Sequence, residues 1–329
     1  MKLLLTGGTG FFGRSLLRHL DQLSRLNHSQ PFSQITVLSR LPVSFCNNYP
    51  DLANKSWLNW HEGDILVPNS LPQDDNYHYI LHAAANATEV AALKPLQIFR
   101  QIVDGTENML KFASKCGVQR FLFVSSGGAY GPQPNEFLGI PESYQGMPDP
   151  LNFLNAYGIA KRQAEHLCAQ YGHQFGIDTV IARCFAFVGR DLPRDAHFAI
   201  GNFIRDALER PEIIVNGDGT PIRSYMHQSD LAHWLFRLLQ QGSSGNAYNV
   251  GSDEAISIAD LACLVRDIVS PGKHVHVKNK LPTDNFLRHR YVPDISKAKV
   301  DLGLEITVPL EQAIRLSIEP VIGNRPLEP

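Results

Sequence analysis

The chain opens on an apolar strand, Lys2-Leu3-Leu4-Leu5, that runs without a break into Thr6-Gly7-Gly8-Thr9-Gly10-Phe11-Phe12-Gly13. A helical pattern follows, with Leu16, Leu17 and Leu20 on one face. Strand, glycine turn and helix in this order describe the first crossover of a parallel sheet. Gly7 permits a tight turn, Gly10 leaves room for a ligand against the backbone, and Gly13 lets helix and strand pack closely. The helix start then presents unpaired N–H groups and the positive end of its dipole, which suit a pyrophosphate. The spacing G-x-x-G-x-x-G draws its weight from this setting; a flexible glycine-rich loop in another kind of α/β protein is the alternative.

The alternation continues. Apolar or β-branched runs at 34–38, 77–83, 120–125 and 179–185 read as strands, with a further one at 56–61. Helical patterns occupy 14–26, 96–115 and 160–175; Ile98, Ile102, Thr106, Met109 and Phe112 keep helical spacing in the second. The fold class is therefore α/β, a doubly wound parallel sheet of the Rossmann type over 1–185. The stretch 131–155, rich in Pro, Gly and Asn, is expected to be a flap beside the site. Beyond 185 the pattern fragments into a helix at 198–208, a strand at 213–216, a helix at 230–241 capped by Ser229, a strand at 247–250, and short elements at 257–269, 274–278 and 295–302. This predicts a smaller substrate-binding lobe over 186–329, with the helix and strand near 229–252 returning to the sheet.

A formal charge of −2 gives no reason to expect a nucleic acid or an anionic membrane as partner. Leu3 to Leu5 are too few for a signal-peptide core, and no stretch reaches the roughly 18 apolar residues of a membrane span. The five cysteines form no C-x-x-C pair, as expected of buried thiols in a reducing compartment. A cytoplasmic location follows as the expectation. The thirteen histidines contain no H-E-x-x-H, and nothing signals a catalytic metal.

Tyr157-Gly-Ile-Ala-Lys161 places a phenol and an ammonium one helical turn apart, on one face. Such an ammonium lowers the phenol's pKa from its usual value near ~10, so that the tyrosine exchanges a proton near neutrality. The lysine can also hold the ribose of a nicotinamide. Alone, the pattern equally describes a solvated surface pair. It gains force from following a strand that ends in Ser125-Ser126, where doubly wound sheets bind ligands. There Ser126 would hydrogen-bond a reacting carbonyl or alkoxide oxygen; an ordinary strand-end serine is the bland reading.

The set Thr6 to Gly13, His82-Ala83-Ala84-Ala85, Asp104-Gly-Thr-Glu-Asn108, Val124-Ser-Ser-Gly-Gly-Ala-Tyr-Gly131 and Tyr157-x-x-x-Lys161 resembles the extended short-chain dehydrogenase/reductase family, in its nucleotide-sugar epimerase, dehydratase and ketoreductase branch. The resemblance covers almost the whole chain. It implies a proton relay at Ser126, Tyr157 and Lys161, and a dinucleotide held by Gly7, Gly10, Phe11, Phe12 and Gly13. It further implies adenine contacts at Asp64 and Ile65, and backbone contacts from Ala83, Ala84 and Ala85. On the substrate side it implies Thr88, Asn202, Arg223, and Arg288 or Arg290 around a nucleotide-diphosphate sugar, each arginine being otherwise a surface charge. The family's usual asparagine after the sixth strand is absent from Arg183-Cys-Phe-Ala-Phe-Val-Gly189. A homodimer through the helices at 96–115 and 160–175 is implied, with a monomer as the alternative.

Within the branch, 4,6-dehydratases carry an Asp-Glu pair directly after the residue matching Ser126, and decarboxylases usually a glutamate there. This chain has Gly127 and Gly128, which have no proton to give. Reduction of a 4-keto sugar or 4-epimerisation remains. The second strand ends in Ser39-Arg40 without the carboxylate that favours NAD(H), so NADP(H) is expected, with Ser39 and Arg40 on the 2′-phosphate. Arg40 stacked on adenine or merely solvated is the alternative. The expected reaction is reduction of a nucleotide-linked 4-keto-6-deoxyhexose by NADPH. The rivals are a 4-epimerase with the same relay and a non-catalytic dinucleotide sensor or scaffold.

Overall fold

The structure, a computed structural model, describes residues 1–25, 32–73, 76–84, 94–278 and 289–322. In chain order it begins with β1 (Lys2–Thr6), α1 (Phe11–Arg25), β2 (Gln34–Ser39), α2 (Pro42–Asn48), α3 (Pro50–Ala53), β3 (Leu58–Glu62) and β4 (Tyr79–His82). There follow α4 (Pro95–Lys115), β5 (Arg120–Ser126), α5 (Ala156–Phe175), β6 (Asp178–Cys184), β7 (Phe187–Val188), α6 (Ala199–Glu209) and β8 (Glu212–Val215). The remainder comprises β9 (Ile222–Arg223), β10 (Met226–His227), α7 (Gln228–Gln241), β11 (Asn246–Val250), β12 (Ile256–Ser257), α8 (Ile258–Val269), β13 (His274–Val277), β14 (Arg290–Tyr291), α9 (Ser296–Leu302) and α10 (Leu310–Ile322).

Seven strands form one parallel sheet in the order β11-β6-β5-β4-β1-β2-β3. β1 shows why helices must cover both faces. Leu3, Leu4 and Leu5 are all fully buried, and successive side chains point to opposite sides. Leu3 and Leu5 join the core of Leu16, Leu17 and Leu20 from α1 and Leu231 and Leu235 from α7. Leu4 joins Ile102 and Met109 of α4 and Ala160 and Ala164 of α5. Each buried leucine contributes about 1.5–3 kcal/mol, so the sheet is anchored from both layers.

The chain moves outward from β1 through β2 and β3, then returns to β4, β5 and β6 on the other side of β1. Where that order reverses, the crossovers part and leave a crevice beyond the carboxyl ends of β1 and β4. β11 extends the sheet beside β6, and α7 packs under α1. The core around Leu3 runs on without interruption to Leu261 and Val265 of α8 and Ile314 of α10.

Three expectations need correction. α5 begins at Ala156, not at 160, which puts Tyr157 in its first turn. α7 begins at Gln228, and its cap is His227, whose ring nitrogen accepts from the Ser229 N–H at 3.2 Å. The stretch 131–155 contributes no residue to the lining of that crevice. Ile140 bridges to Pro293, the Ile140 N–H donates to Val292 O at 2.9 Å, and the Glu142 carboxylate accepts from Asn249 N at 2.7 Å. α10 and α2 had no expected counterpart: short or terminal helices whose apolar face depends on distant partners carry little periodic signal.

Candidate active site

A cavity of about 1340 Å³ follows the carboxyl rim of the sheet. It exceeds the roughly 300–1,000 Å³ of an ordinary small-molecule pocket and has room for a dinucleotide beside a second ligand. Its wall takes in the glycine turn, Ser39 and Arg40 after β2, Asp64 and Ile65 after β3, and Ala83 and Ala84 after β4. Ser126, Tyr157 and Lys161 line its middle, and Asn202 and Arg223 line it from the second half of the chain. Asp64 is the one acidic side chain among the described lining residues, against Arg40, Lys161 and Arg223. That balance favours anionic phosphates.

The glycine turn is held by close approach. Gly7 has φ +74°, and a Cβ on it would lie 2.5 Å from the Ala83 carbonyl oxygen. A Cβ on Gly13 would meet the backbone of Gly8 at 2.1 Å, whereas one on Gly10 would find nothing nearer than 3.7 Å. Gly10 thus leaves backbone open to the cavity. Phe11 and Phe12 also line it, and Phe12 stands edge-on to Phe187 at 5.3 Å.

A buried chain of hydrogen bonds ties this turn to β4 and α4. The His82 ring lies 2.7 Å from Thr6 Oγ1 and 3.2 Å from Thr106 Oγ1, and Thr6 Oγ1 accepts from the Ala84 N–H at 3.2 Å. Burial, and secondarily the Lys161 charge, push the His82 pKa down to about 3, so the ring is neutral. α4 also sets the turn after β3. Asn108 Nδ2 donates to Ile65 O at 2.9 Å, and the Ile65 side chain fills the space beside Gly105. The Asp64 carboxylate accepts from Leu66 N at 2.9 Å, within its own turn.

Ser126 ends β5 and caps the short 3₁₀ segment that follows at once, its Oγ accepting from Gly128 N at 3.0 Å. The first turn of α5 comes close enough that a Cβ on Gly158 would lie 2.6 Å from Gly128 O. Two glycines in contact thus bring the start of α5 against the end of β5. Lys161 is 3 % exposed, its ammonium donates to Val124 O at 2.7 Å, and it lies 5.9 Å from the centre of the Tyr157 ring. Burial pushes its pKa down to about 8, partly opposed by Glu165 and nearby thiols.

Sequence reasoning missed the buttress behind these residues. Ser125 donates to the Glu165 carboxylate, which is paired with Arg183 at 2.7 Å. Arg183 lies 4.6 Å over the Tyr130 ring, and Tyr130 donates to Asn249 Oδ1 at 2.9 Å. The available signal was Glu165 one turn beyond Lys161 on the same helical face.

On the substrate side, Arg223 and Asn202 line the cavity. Arg290 does not: its Nε donates to the Leu138 carbonyl at 2.7 Å, and the neighbouring Tyr291 faces the cavity instead. β14 pairs with β9, so alternate residues point to opposite sides, and the expectation for Arg290 is corrected. Ala85, Thr88 and Arg288 lie outside the described residues. A Cβ on Gly127 would stand 2.7 Å from the Tyr291 hydroxyl and 2.8 Å from the Phe185 ring, so aromatic groups fill the volume an acid at 127 would need.

The model of the NAD dependent epimerase/dehydratase family matches residues 3–251. UDP-glucuronic acid decarboxylase 3 of Arabidopsis thaliana is 29 % identical over 324 residues, 97 % of this chain and 88 % of that protein. The UDP-glucose 4-epimerase of Thermotoga maritima, solved with UDP-glucose, is 25 % identical at a TM-score of 0.80, covering 98 % of this chain and 99 % of that one. The UDP-glucuronic acid 4-epimerase of Bacillus cereus, solved with UDP-glucuronic acid and NAD, shares the fold at a TM-score of 0.81 and 23 % identity, over 99 % of this chain and 100 % of that one. Among the described residues no helix is long and apolar enough to cross a membrane.

Proposed function

The chain belongs to the NAD dependent epimerase/dehydratase family, and on that premise we propose that it reduces the C4 ketone of a nucleotide-linked 4-keto-6-deoxyhexose with NADPH. The observation that carries the reading is the buried Lys161 ammonium beside Tyr157, one turn into a helix that presses against the strand ending in Ser126.

A reduced nicotinamide dinucleotide, its pyrophosphate held at the glycine turn, would supply the hydride to sugar C4. Tyr157 Oη then gives its proton to the oxygen that becomes alkoxide, and Ser126 Oγ donates a hydrogen bond to that same oxygen. Lys161 keeps the phenolate stable once the proton has left, and its place against the Val124 carbonyl fixes the geometry. The open backbone at Gly10 fits a pyrophosphate, and Arg223 suits the diphosphate of the sugar nucleotide. Ser39 and Arg40, lining the cavity where an acidic residue would favour NAD(H), support NADP(H). Gly127, hemmed in by Phe185 and Tyr291, supports a reaction that needs no acid at that position.

A second reading is 4-epimerisation, favoured by the likeness to the Thermotoga maritima epimerase over nearly the whole chain. Parallel incubations with three substrates separate them. With a nucleotide-linked 4-keto-6-deoxyhexose, reduction consumes one NADPH per product. With UDP-glucose or UDP-glucuronic acid, an epimerase yields the C4 epimer with no net cofactor consumed, and a decarboxylase releases carbon dioxide. Turnover of the last two without NADPH oxidation on the first would overturn the reductase. We further propose a cytoplasmic homodimer. The support is a set of free thiols and exposed apolar residues, Leu96 on α4 and Leu151, Phe153 and Leu154 just before α5. A monomer by light scattering at micromolar concentration would end that part.

A further inference from the structure

Away from the cavity, β8 and β13 form a parallel pair in which His274 stands beside Glu212 and His276 beside Ile214. Alternate side chains on a strand share a face, so His274 and His276 leave β13 on the side that carries Glu212. Val275 and Val277 turn the other way and pack on the core. One ligand atom from each of Glu212, His274 and His276 lies within 4.8 Å of the other two. His274 Nδ1 and a Glu212 carboxylate oxygen are 3.5 Å apart.

Ligands at ~2.0–2.1 Å from a tetrahedral zinc ion stand roughly 3.4 Å from each other. The His274–Glu212 pair already has that spacing, and the His276 ligand atom lies within 4.8 Å of both. The His274 side chain is 73 % exposed and that of Glu212 39 %, so an ion has an open approach and water can complete its shell. Two imidazoles and one carboxylate suit zinc, nickel, cobalt or copper; oxygen-seeking magnesium and calcium are poorly matched.

We propose that Glu212, His274 and His276 bind one divalent transition-metal ion, bridging β8 to β13. None of the three lines the catalytic cavity, although Ile214 and Val215 at the far end of β8 and Asn216 just beyond it do. The ion would therefore brace a cavity wall from outside, and it is independent of the reaction assigned above. A sequence search for H-E-x-x-H could not find this set, because its ligands come from two strands far apart in the chain.

The test is calorimetric titration of the full, untagged chain, stripped of metal, with Zn²⁺. One equivalent is expected to bind and to raise the melting temperature. His274→Ala and His276→Ala each weaken binding by at least the roughly 10–100-fold that follows loss of an outer-shell partner. Glu212→Gln, which keeps the shape and removes the charge, weakens it too. Melting curves without metal verify that each variant folds. The proposal is overturned if no saturable binding occurs, if the histidine variants bind as the parent does, or if Mg²⁺ binds as tightly as Zn²⁺.

Discussion

Lys161→Met separates what the site needs from what the fold needs. Lys161 is 3 % exposed, and its pKa is pushed from an ordinary 10.5 down to about 8 by burial. At neutral pH the folded protein therefore holds a cation that water would solvate better. Each pKa unit corresponds to about 1.4 kcal/mol, so the depression represents about 3 kcal/mol of stability forgone at pH 7. Methionine has similar length and no charge to bury. Against the gain stands the hydrogen bond to Val124 O, worth about 1 kcal/mol. The variant should therefore be as stable as the parent or up to about 2 kcal/mol more stable, while turnover falls about 10²–10⁴-fold.

The pH dependence supplies the discriminating result. Between pH 8 and 10.5 the unfolded chain still binds a proton at Lys161 that the folded chain has released, so the stability of the parent rises with pH across that window. At pH 9.5 the forgone stability shrinks to about 1 kcal/mol. Urea denaturation of both proteins at pH 7 and pH 9.5 should show the difference moving by about 2 kcal/mol in favour of the parent. A gap unchanged between the two pH values would refute the assignment of a buried, desolvated ammonium. So would a loss of more than about 2 kcal/mol in the variant at pH 7.

Tyr157→Phe should lower turnover about 10²–10⁴-fold with cofactor affinity nearly unchanged by fluorescence titration; activity within a few-fold of the parent would remove Tyr157 from the relay. Arg40→Ala should weaken NADPH binding by about 1.5–3 kcal/mol and leave NADH binding little altered, and equal losses for both would place Arg40 elsewhere than at a 2′-phosphate. Gly7→Ala should destabilise more than Gly176→Ala in chemical denaturation. Both glycines have φ near +70°, at 74° and 70°, but only Gly7 has a carbonyl at 2.5 Å where the methyl would go. The backbone share of either loss is about 1–2 kcal/mol, and equal losses would mean that the approach of Ala83 is readily relaxed.

What could be read from the residues alone was whatever local geometry enforces. A strand, three glycines and an amphipathic helix leave one arrangement of β1, turn and α1, because the turn's tightness and the helix period are properties of a dozen neighbouring residues. Tyr157 and Lys161 were paired by the pitch of a helix, and Ser126 was placed by ending a strand in a parallel sheet. Tertiary structure decided the rest. Whether Arg290 or Tyr291 faces the cavity depends on how β14 pairs with β9, and a register shift of one residue exchanges the two. The buttress of Glu165, Arg183 and Tyr130, the neutral His82 between two threonines, and the depressed lysine arise only when remote segments exclude water together. Spacing along a chain specifies directions within one element; burial and charge depend on which elements meet, and that is a property of the packed core.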